Sequence, residues 1–141
     1  MNLEKQVVSL ELAKRMKELG FEQEGLFYWK EWNWENQGEP KTTSTGGWKI
    51  VGKGFPPYFP DGLEISAFTS SELGEMLPAK IRIEKDPTDI LMFEFTCYKT
   101  PYHYSCCYMC EERLNDKLFV ADTEANARAK MLIYLKENNL L

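Results

Sequence analysis

The stretch AKIRIEKDPTDILMFEFTCY, residues 79–98, decides the fold of this chain. Ile81 and Ile83 alternate with charged side chains, which is the period-two pattern of a strand with one buried face. The next four residues, Asp86 to Asp89, have turn chemistry, and a longer apolar run from Ile90 to Tyr98 follows them. Two strands joined by so short a turn pair as an antiparallel hairpin. We therefore expect a mainly antiparallel sheet.

Three helices and several further strands are predicted on either side of this hairpin. Apolar residues recur at helical spacing from Val8 to Leu19, and Gly20 ends that helix. A short helix is predicted from Ser70 to Leu77, and a C-terminal helix after Asp122 and Thr123, either of which can cap its start. This order predicts a single α+β domain over residues 1–141, with the N-terminal, middle and C-terminal helices packed on the sheet. Further strands are predicted at residues 26–34, 48–51, 63–67, 102–110 and 118–121, and a polar turn at residues 111–117.

Composition restricts the partners of the chain. Its net charge of −5 argues against nucleic-acid binding, because contact with phosphate backbones relies on Lys and Arg. No apolar run reaches the roughly 18 residues that span a membrane. The N-terminus also lacks the charged start and apolar run of a signal peptide. We expect a cytoplasmic protein with reduced cysteines and no membrane contact.

Aromatic residues are concentrated between Phe21 and Phe59, a region that contains all four tryptophans of the chain. Most of these rings are expected in the core, because they favour strands and bury large areas. Trp29 and Trp32 lie on opposite faces of the predicted strand, so one of them is expected to face solvent or a partner. Flat rings beside hydroxyl and ammonium groups suit a nucleotide-like ligand or a protein partner. The predicted binding residues are Trp29, Trp32, Trp34, Lys41, Trp48 and Tyr58.

All four cysteines and the only histidine of the chain lie between residues 97 and 110. Three thiolates and one imidazole would complete a structural zinc site, and Cys107 and Cys110 have C-x-x-C spacing. On a strand, however, Cys107 and Cys110 point to opposite faces. We interpret the cysteines mainly as buried reduced thiols, with a zinc site or a thiol nucleophile and His103 as its base as the alternatives. The residues concerned are Cys97, His103, Cys106, Cys107 and Cys110.

Three segments of the chain resemble segments of known proteins. ISAFTSSELGEMLP, residues 65–78, and ADTEANARAKMLIYLKENNLL, residues 121–141, together with residues 9–20, resemble small bacteriophage and prophage proteins that have no assigned function. The similarity covers about half of the chain. It implies a phage or prophage context, and thus the cytoplasm of a host cell. It implies no reaction, no cofactor and no catalytic residues.

These observations favour a non-catalytic accessory protein that works by binding, with the aromatic region of residues 21–59 as its interaction surface. A specific version is a counter-defence protein that sequesters a small nucleotide signal; another partner is a host protein. The alternative is a thiol-dependent enzyme or a zinc-stabilised domain built on the cysteines and His103. A homodimer is also predicted, because so many aromatic residues exceed what one small sheet can cover, and exposed apolar patches mark interfaces. No cofactor is predicted.

Overall fold

The computed structural model describes residues 2–31, 47–53, 64–110, 113–114 and 117–141. The chain forms two compact units, residues 1–69 and residues 70–141. Within the described ranges there are three α-helices, and every strand pairing is antiparallel. These elements confirm the predicted α+β class and the mainly antiparallel pairing. The described strands divide between two sheets, one in each unit.

In its described residues, the first unit packs one α-helix on a three-stranded sheet with strand order β2-β1-β3. The helix has the predicted end: the N–H of Gly20 donates to Lys17 O and that of Phe21 to Met16 O. Gly20 has φ of 83°, so it adopts the left-handed conformation that this type of helix end requires. The elements are a 3-10 turn (Leu3–Lys5), α1 (Leu10–Glu18), β1 (Phe27–Glu31), β2 (Trp48–Gly52) and β3 (Glu64–Ser66).

The second unit contains a five-stranded sheet and two helices. Its strand order is β4-β5-β6-β7, and β8 also pairs with β6. β4 and β5 form the predicted hairpin, and the Asp86 carboxylate closes its turn by accepting hydrogen bonds from the N–H groups of Thr88 and Asp89. The elements are α2 (Ser70–Met76), β4 (Lys80–Asp86), β5 (Asp89–Lys99), β6 (Tyr104–Cys110), β7 (Arg113–Leu114), β8 (Phe119–Ala121) and α3 (Glu124–Glu137).

The C-terminal helix α3 packs against α2, β6 and β8. The hydroxyl of Thr123 accepts a hydrogen bond from the N–H of Asn126 and so caps the helix as predicted. Alanines at its start let the helix approach the sheet closely. The buried residues of α3 are Ala125, Ala127, Ala129, Met131, Leu132, Ile133 and Leu135.

Two differences from the sequence-based assignment concern strand boundaries. Residues 113–114 form the short strand β7, in a segment for which the sequence predicts a polar turn. This strand pairs with the end of β6. Two residues are too few to produce a recognisable alternation of apolar and polar side chains. The predicted strand 26–34 is observed as β1, and residues 32–34 of it lie outside the described residues. None of the described helices has the length and apolar character needed to cross a membrane.

Candidate functional site

Trp29 is a core residue of the first unit. Its side chain is 3% exposed, and its indole N–H donates to the main-chain carbonyl of Val8 at 2.9 Å. Val8 directly precedes the N-cap of α1, so this bond holds β1 against the start of the helix. Its predicted counterpart on the other strand face, Trp32, lies outside the described residues. The described part of the strand therefore assigns Trp29 to packing.

Trp48 lies at the start of β2, directly opposite Glu31 of β1. Because paired residues on neighbouring strands share a face, Trp48 is on the same side of the sheet as Trp29 and Ile65. This is the side covered by α1. The ammonium group of Lys14, on α1, lies 4.9 Å from the centre of the Trp48 ring, which is a cation–π contact.

An open cavity of about 490 Å³, the Trp48 pocket, lies between α1 and this face of the sheet. Trp48 and Ile65 form its apolar part. Lys14 and Lys17 project into it from one side of α1, where residues three apart are neighbours. Among the described residues its lining is Lys14, Lys17, Glu18, Glu31, Trp48 and Ile65.

The charged side chains around the Trp48 pocket differ in the contacts that they make. Two carboxylates, those of Glu18 and Glu31, line the pocket, and that of Glu18 pairs with Arg15 at 3.2 Å, so its charge is partly neutralised. The Lys17 ammonium donates to the main-chain carbonyl of Glu64 at 3.0 Å. This acceptor is neutral, so it does not cancel the positive charge of Lys17. With Lys14 over the ring, the pocket presents two ammonium groups beside an aromatic and an aliphatic side chain.

The remaining predicted binding residues are not placed. Trp32, Trp34, Lys41 and Tyr58 lie outside the described residues. The segment of residues 32–46 connects Glu31 to the start of β2, and both of these strand ends contribute to the Trp48 pocket. Trp48 is thus the predicted binding residue that lines a cavity in the described part of the chain.

A second cluster, in the second unit, is built around two thiols. Cys97 on β5 and Cys106 on β6 are directly opposite each other, and their sulfur atoms are 2.8 Å apart. The Cys106 thiol donates a hydrogen bond to the Cys97 sulfur. Cys97 is half-buried, whereas Cys106 is completely buried.

The other predicted ligands of a metal do not join this pair. Within the described ranges, no three Cys, His, Asp or Glu side chains form a group that could hold a metal ion. Cys107 is buried on the opposite face of β6, and Cys110 is half-buried at the end of that strand. His103 belongs to the turn between β5 and β6, where its main-chain N–H donates to the Thr100 hydroxyl.

Arg128 of α3 supplies a positive charge to the thiol pair. Its guanidinium pairs with Glu124 one turn earlier and lies 6.0 Å from the Phe95 ring. It also packs against Gly74 of α2, where an added Cβ would collide with its Nη1 atom. The described neighbours therefore define the position of Arg128 on three sides.

The pKa values of the three thiols are shifted in different directions from the ordinary value of a cysteine. The hydrogen bond from Cys106 and the charge of Arg128 lower the Cys97 pKa to about 7, although burial and Glu124 oppose this shift. The hydrogen bond to Cys97 and burial raise the Cys106 pKa. Burial also raises the pKa of Cys107. Cys97 is accordingly the member of the pair that ionises first.

No protein-family model matches this chain, and neither a curated protein nor a solved structure shows significant similarity to it.

Several residues of the two clusters were not singled out in the sequence. Lys14 and Lys17 look like ordinary solvent-facing charges of an amphipathic helix, so no local signal distinguishes them. Gly74 and Arg128 do carry a signal. A glycine inside a helix costs about 1 kcal/mol relative to alanine and so often marks a close approach. An arginine within an alanine-rich helix face is similarly unusual.

Proposed function

We propose that this protein works by binding a small ligand in the Trp48 pocket. The observation that carries the proposal is the cavity itself, whose volume of about 490 Å³ lies within the range of about 300–1,000 Å³ typical of small-molecule sites. Its lining combines an apolar part, Trp48 and Ile65, with a few charged side chains at the rim. That combination orients a ligand while burying its apolar part.

Two lysines and two glutamates line the pocket, and Arg15 engages one of the glutamates, so the two ammonium groups suit a ligand that has a flat apolar part and an anionic group. Lys14 lies over the Trp48 ring, and a flat ring system would take its place there while the ammonium group turns to the anion. Lys17, one turn along α1, supplies a second ammonium group on the same side. Lysine binds phosphates as a compact point charge with three donors. A nucleotide has both required parts.

The resemblance to phage and prophage proteins supports a biological setting for this ligand. A small accessory protein that binds a nucleotide without transforming it would remove that nucleotide from a host signalling pathway. Counter-defence by sequestration is therefore the specific form of the proposal. It needs no catalytic group.

Native mass spectrometry of protein purified from host cells tests this proposal. We expect a mass increment of one small molecule per chain, which is released on denaturation and absorbs in the ultraviolet like a nucleobase. Titration of the ligand-stripped protein with nucleotides then gives the Kd. A protein that carries nothing from cells and binds none of a panel of linear and cyclic nucleotides would contradict the proposal. Co-purification with a host protein alone would favour a protein partner instead.

A further inference from the structure

We propose that Cys97 and Cys106 form a redox-active dithiol that exchanges with small-molecule disulfides, with Cys97 as the attacking thiol and Cys106 as the resolving thiol. The site lies wholly in the second unit, within residues 70–141. It shares no residue with the Trp48 pocket, so this inference stands or fails independently of the proposed function.

The register of β5 and β6 brings the two sulfur atoms together. Cys97 and Cys106 are directly paired across the strands, with a sulfur–sulfur distance of 2.8 Å. A disulfide bond is about 2.0 Å long, so the sulfur atoms need to approach by only about 0.8 Å. Facing residues on antiparallel strands have Cβ atoms roughly 4.5–5.5 Å apart, close to the roughly 3.5–4.5 Å that a disulfide requires. A closer approach of about 1 Å between the two Cβ atoms would therefore be enough for the bond to form.

The difference in exposure assigns the two roles. Cys97 is half-buried and can be reached by a small disulfide, whereas Cys106 has no exposed surface. An external disulfide must consequently react first with Cys97. Cys106 already lies against the Cys97 sulfur, so it is placed to attack the intermediate from inside the protein.

Two groups stabilise the attacking thiolate. The Cys106 thiol donates to the Cys97 sulfur, and the Arg128 guanidinium adds a favourable charge from α3, while Glu124 partly offsets it. The resulting Cys97 pKa of about 7 provides a substantial thiolate fraction at neutral pH. Arg128 acts here as a positioning and charge-stabilising residue.

The exchange proceeds in two balanced steps. The Cys97 thiolate attacks one sulfur of a disulfide R–S–S–R, the old S–S bond breaks, and one thiolate leaves and takes a proton from water. Cys106 then attacks the Cys97 sulfur of the mixed disulfide, the S–S bond to R breaks, and the proton of Cys106 passes to the departing thiolate, which leaves as the second thiol. Two protein thiols are oxidised to the Cys97–Cys106 disulfide, and R–S–S–R is reduced to two molecules of thiol.

Intact-mass spectrometry of the full chain treated with oxidised glutathione tests the proposal. The wild-type protein should lose two hydrogen atoms and retain no glutathione. Cys106→Ser should stop at the stage of one glutathione per chain on Cys97, and Cys97→Ser should form no internal disulfide. Cys110→Ser, which removes a half-buried thiol from the same strand, should behave like the wild type. Peptide mapping of the wild-type product should locate the bond between Cys97 and Cys106.

Three outcomes would overturn the inference. The first is a wild-type product that keeps glutathione on Cys97 and forms no internal disulfide. The second is a mapped disulfide that involves Cys107 or Cys110 instead. The third is a Cys106→Ser protein that acquires no glutathione on Cys97. The first two outcomes are measured on the wild-type chain, so they do not depend on whether the serine variants fold; the third requires a Cys106→Ser protein with the circular dichroism spectrum of the wild type.

Discussion

The indole N–H of Trp29 donates a hydrogen bond to the main-chain carbonyl of Val8 at 2.9 Å, in the buried interior of the first unit. The carbonyl belongs to the residue before the N-cap of α1, and the ring belongs to the middle of β1. One tryptophan thus joins the helix to the sheet and satisfies a buried acceptor, which would otherwise cost free energy. The Trp48 pocket lies on the same face of the sheet, so Trp29 supports the surface on which that pocket is built.

Trp29→Ala should lower the free energy of unfolding by about 3–5 kcal/mol, the usual cost of deleting a large buried aromatic side chain. Trp29→Phe should cost less, about 1–3 kcal/mol, because it keeps most of the ring but leaves the Val8 carbonyl without its donor. Urea denaturation of both variants measures these differences. A Trp29→Ala protein as stable as the wild type would contradict the assignment of this residue to packing.

Lys14→Met and Lys17→Met should each weaken binding of an anionic nucleotide about tenfold, because each removes a charged hydrogen-bond donor and keeps a stem of similar length. Isothermal titration calorimetry of the stripped protein gives the change in Kd. Lys5→Met is the matched control, since Lys5 is an exposed lysine of the same unit that does not line the pocket. Equal affinities in all three variants would place the ligand elsewhere.

Gly74→Ala should slow the reaction of Cys97 with iodoacetamide at neutral pH. The added Cβ would collide with the Nη1 atom of Arg128, and the flexible guanidinium must move away from its present position near the thiol pair. The free energy of unfolding should change by no more than about 1 kcal/mol, since alanine favours the helix and partly offsets this rearrangement. Alkylation rates at several pH values should show a higher Cys97 pKa.

Gly52→Ala is the control for that experiment. A Cβ at Gly52 would meet no atom within 4 Å, so the same chemical change is made at an open position. Its alkylation rate should equal that of the wild type. If Gly74→Ala also matched the wild type, Arg128 would have no measurable influence on the thiol.

The stability of the reduced protein should depend on pH in the range in which Cys97 titrates. The Cys97 pKa is about 7 in the folded chain and 9.0 for the unperturbed thiol, so the folded state binds fewer protons between these values. Stability should therefore rise from pH 7 to pH 9. Above pH 9 it should fall, because the raised pKa values of Cys106 and Cys107 keep protons on the folded chain that the unfolded chain has lost.

Denaturation midpoints measured with a reductant present across this pH range test that profile. Cys97→Ser should abolish the rise between pH 7 and pH 9. Cys110→Ser should retain it. A rise that persists unchanged in Cys97→Ser would have to come from another group.

A homodimer remains predicted, and the second unit offers a surface for it. Ile90, Met92 and Met109 are between 42% and 48% exposed on β5 and β6. Large apolar side chains that lie together on a sheet face are typical of interfaces. Light scattering at micromolar concentration should return twice the chain mass, and Met92→Glu should return the mass of one chain. A monomeric wild-type protein would refute this prediction.

The candidate sites were predictable only in part. The aromatic content of residues 21–59 drew attention to both Trp29 and Trp48, and the structure buries both rings, which are 3% and 8% exposed, although Trp48 also lines the pocket. Period-two alternation predicted Cys107 and Cys110 on opposite faces of a strand, and on β6 the neighbouring thiols of Cys106 and Cys107 also lie on opposite faces. Which thiol Cys106 would meet depended on the register of β5 against β6. A one-residue change of register would have brought a different side chain opposite it.

The sequence by itself determined the α+β class, the hairpin of residues 79–98, the end of α1 at Gly20 and the start of α3 after Thr123. Each of these follows from interactions between residues a few positions apart, such as alternation, capping and turn formation, and such interactions leave a local pattern. Only the tertiary structure decided that Lys14 would lie over Trp48 and that Arg128 would lie between Gly74 and the thiol pair. Those contacts join residues about 20 to 55 positions apart. They depend on which helix covers which sheet face, and local periodicity carries no information about that choice.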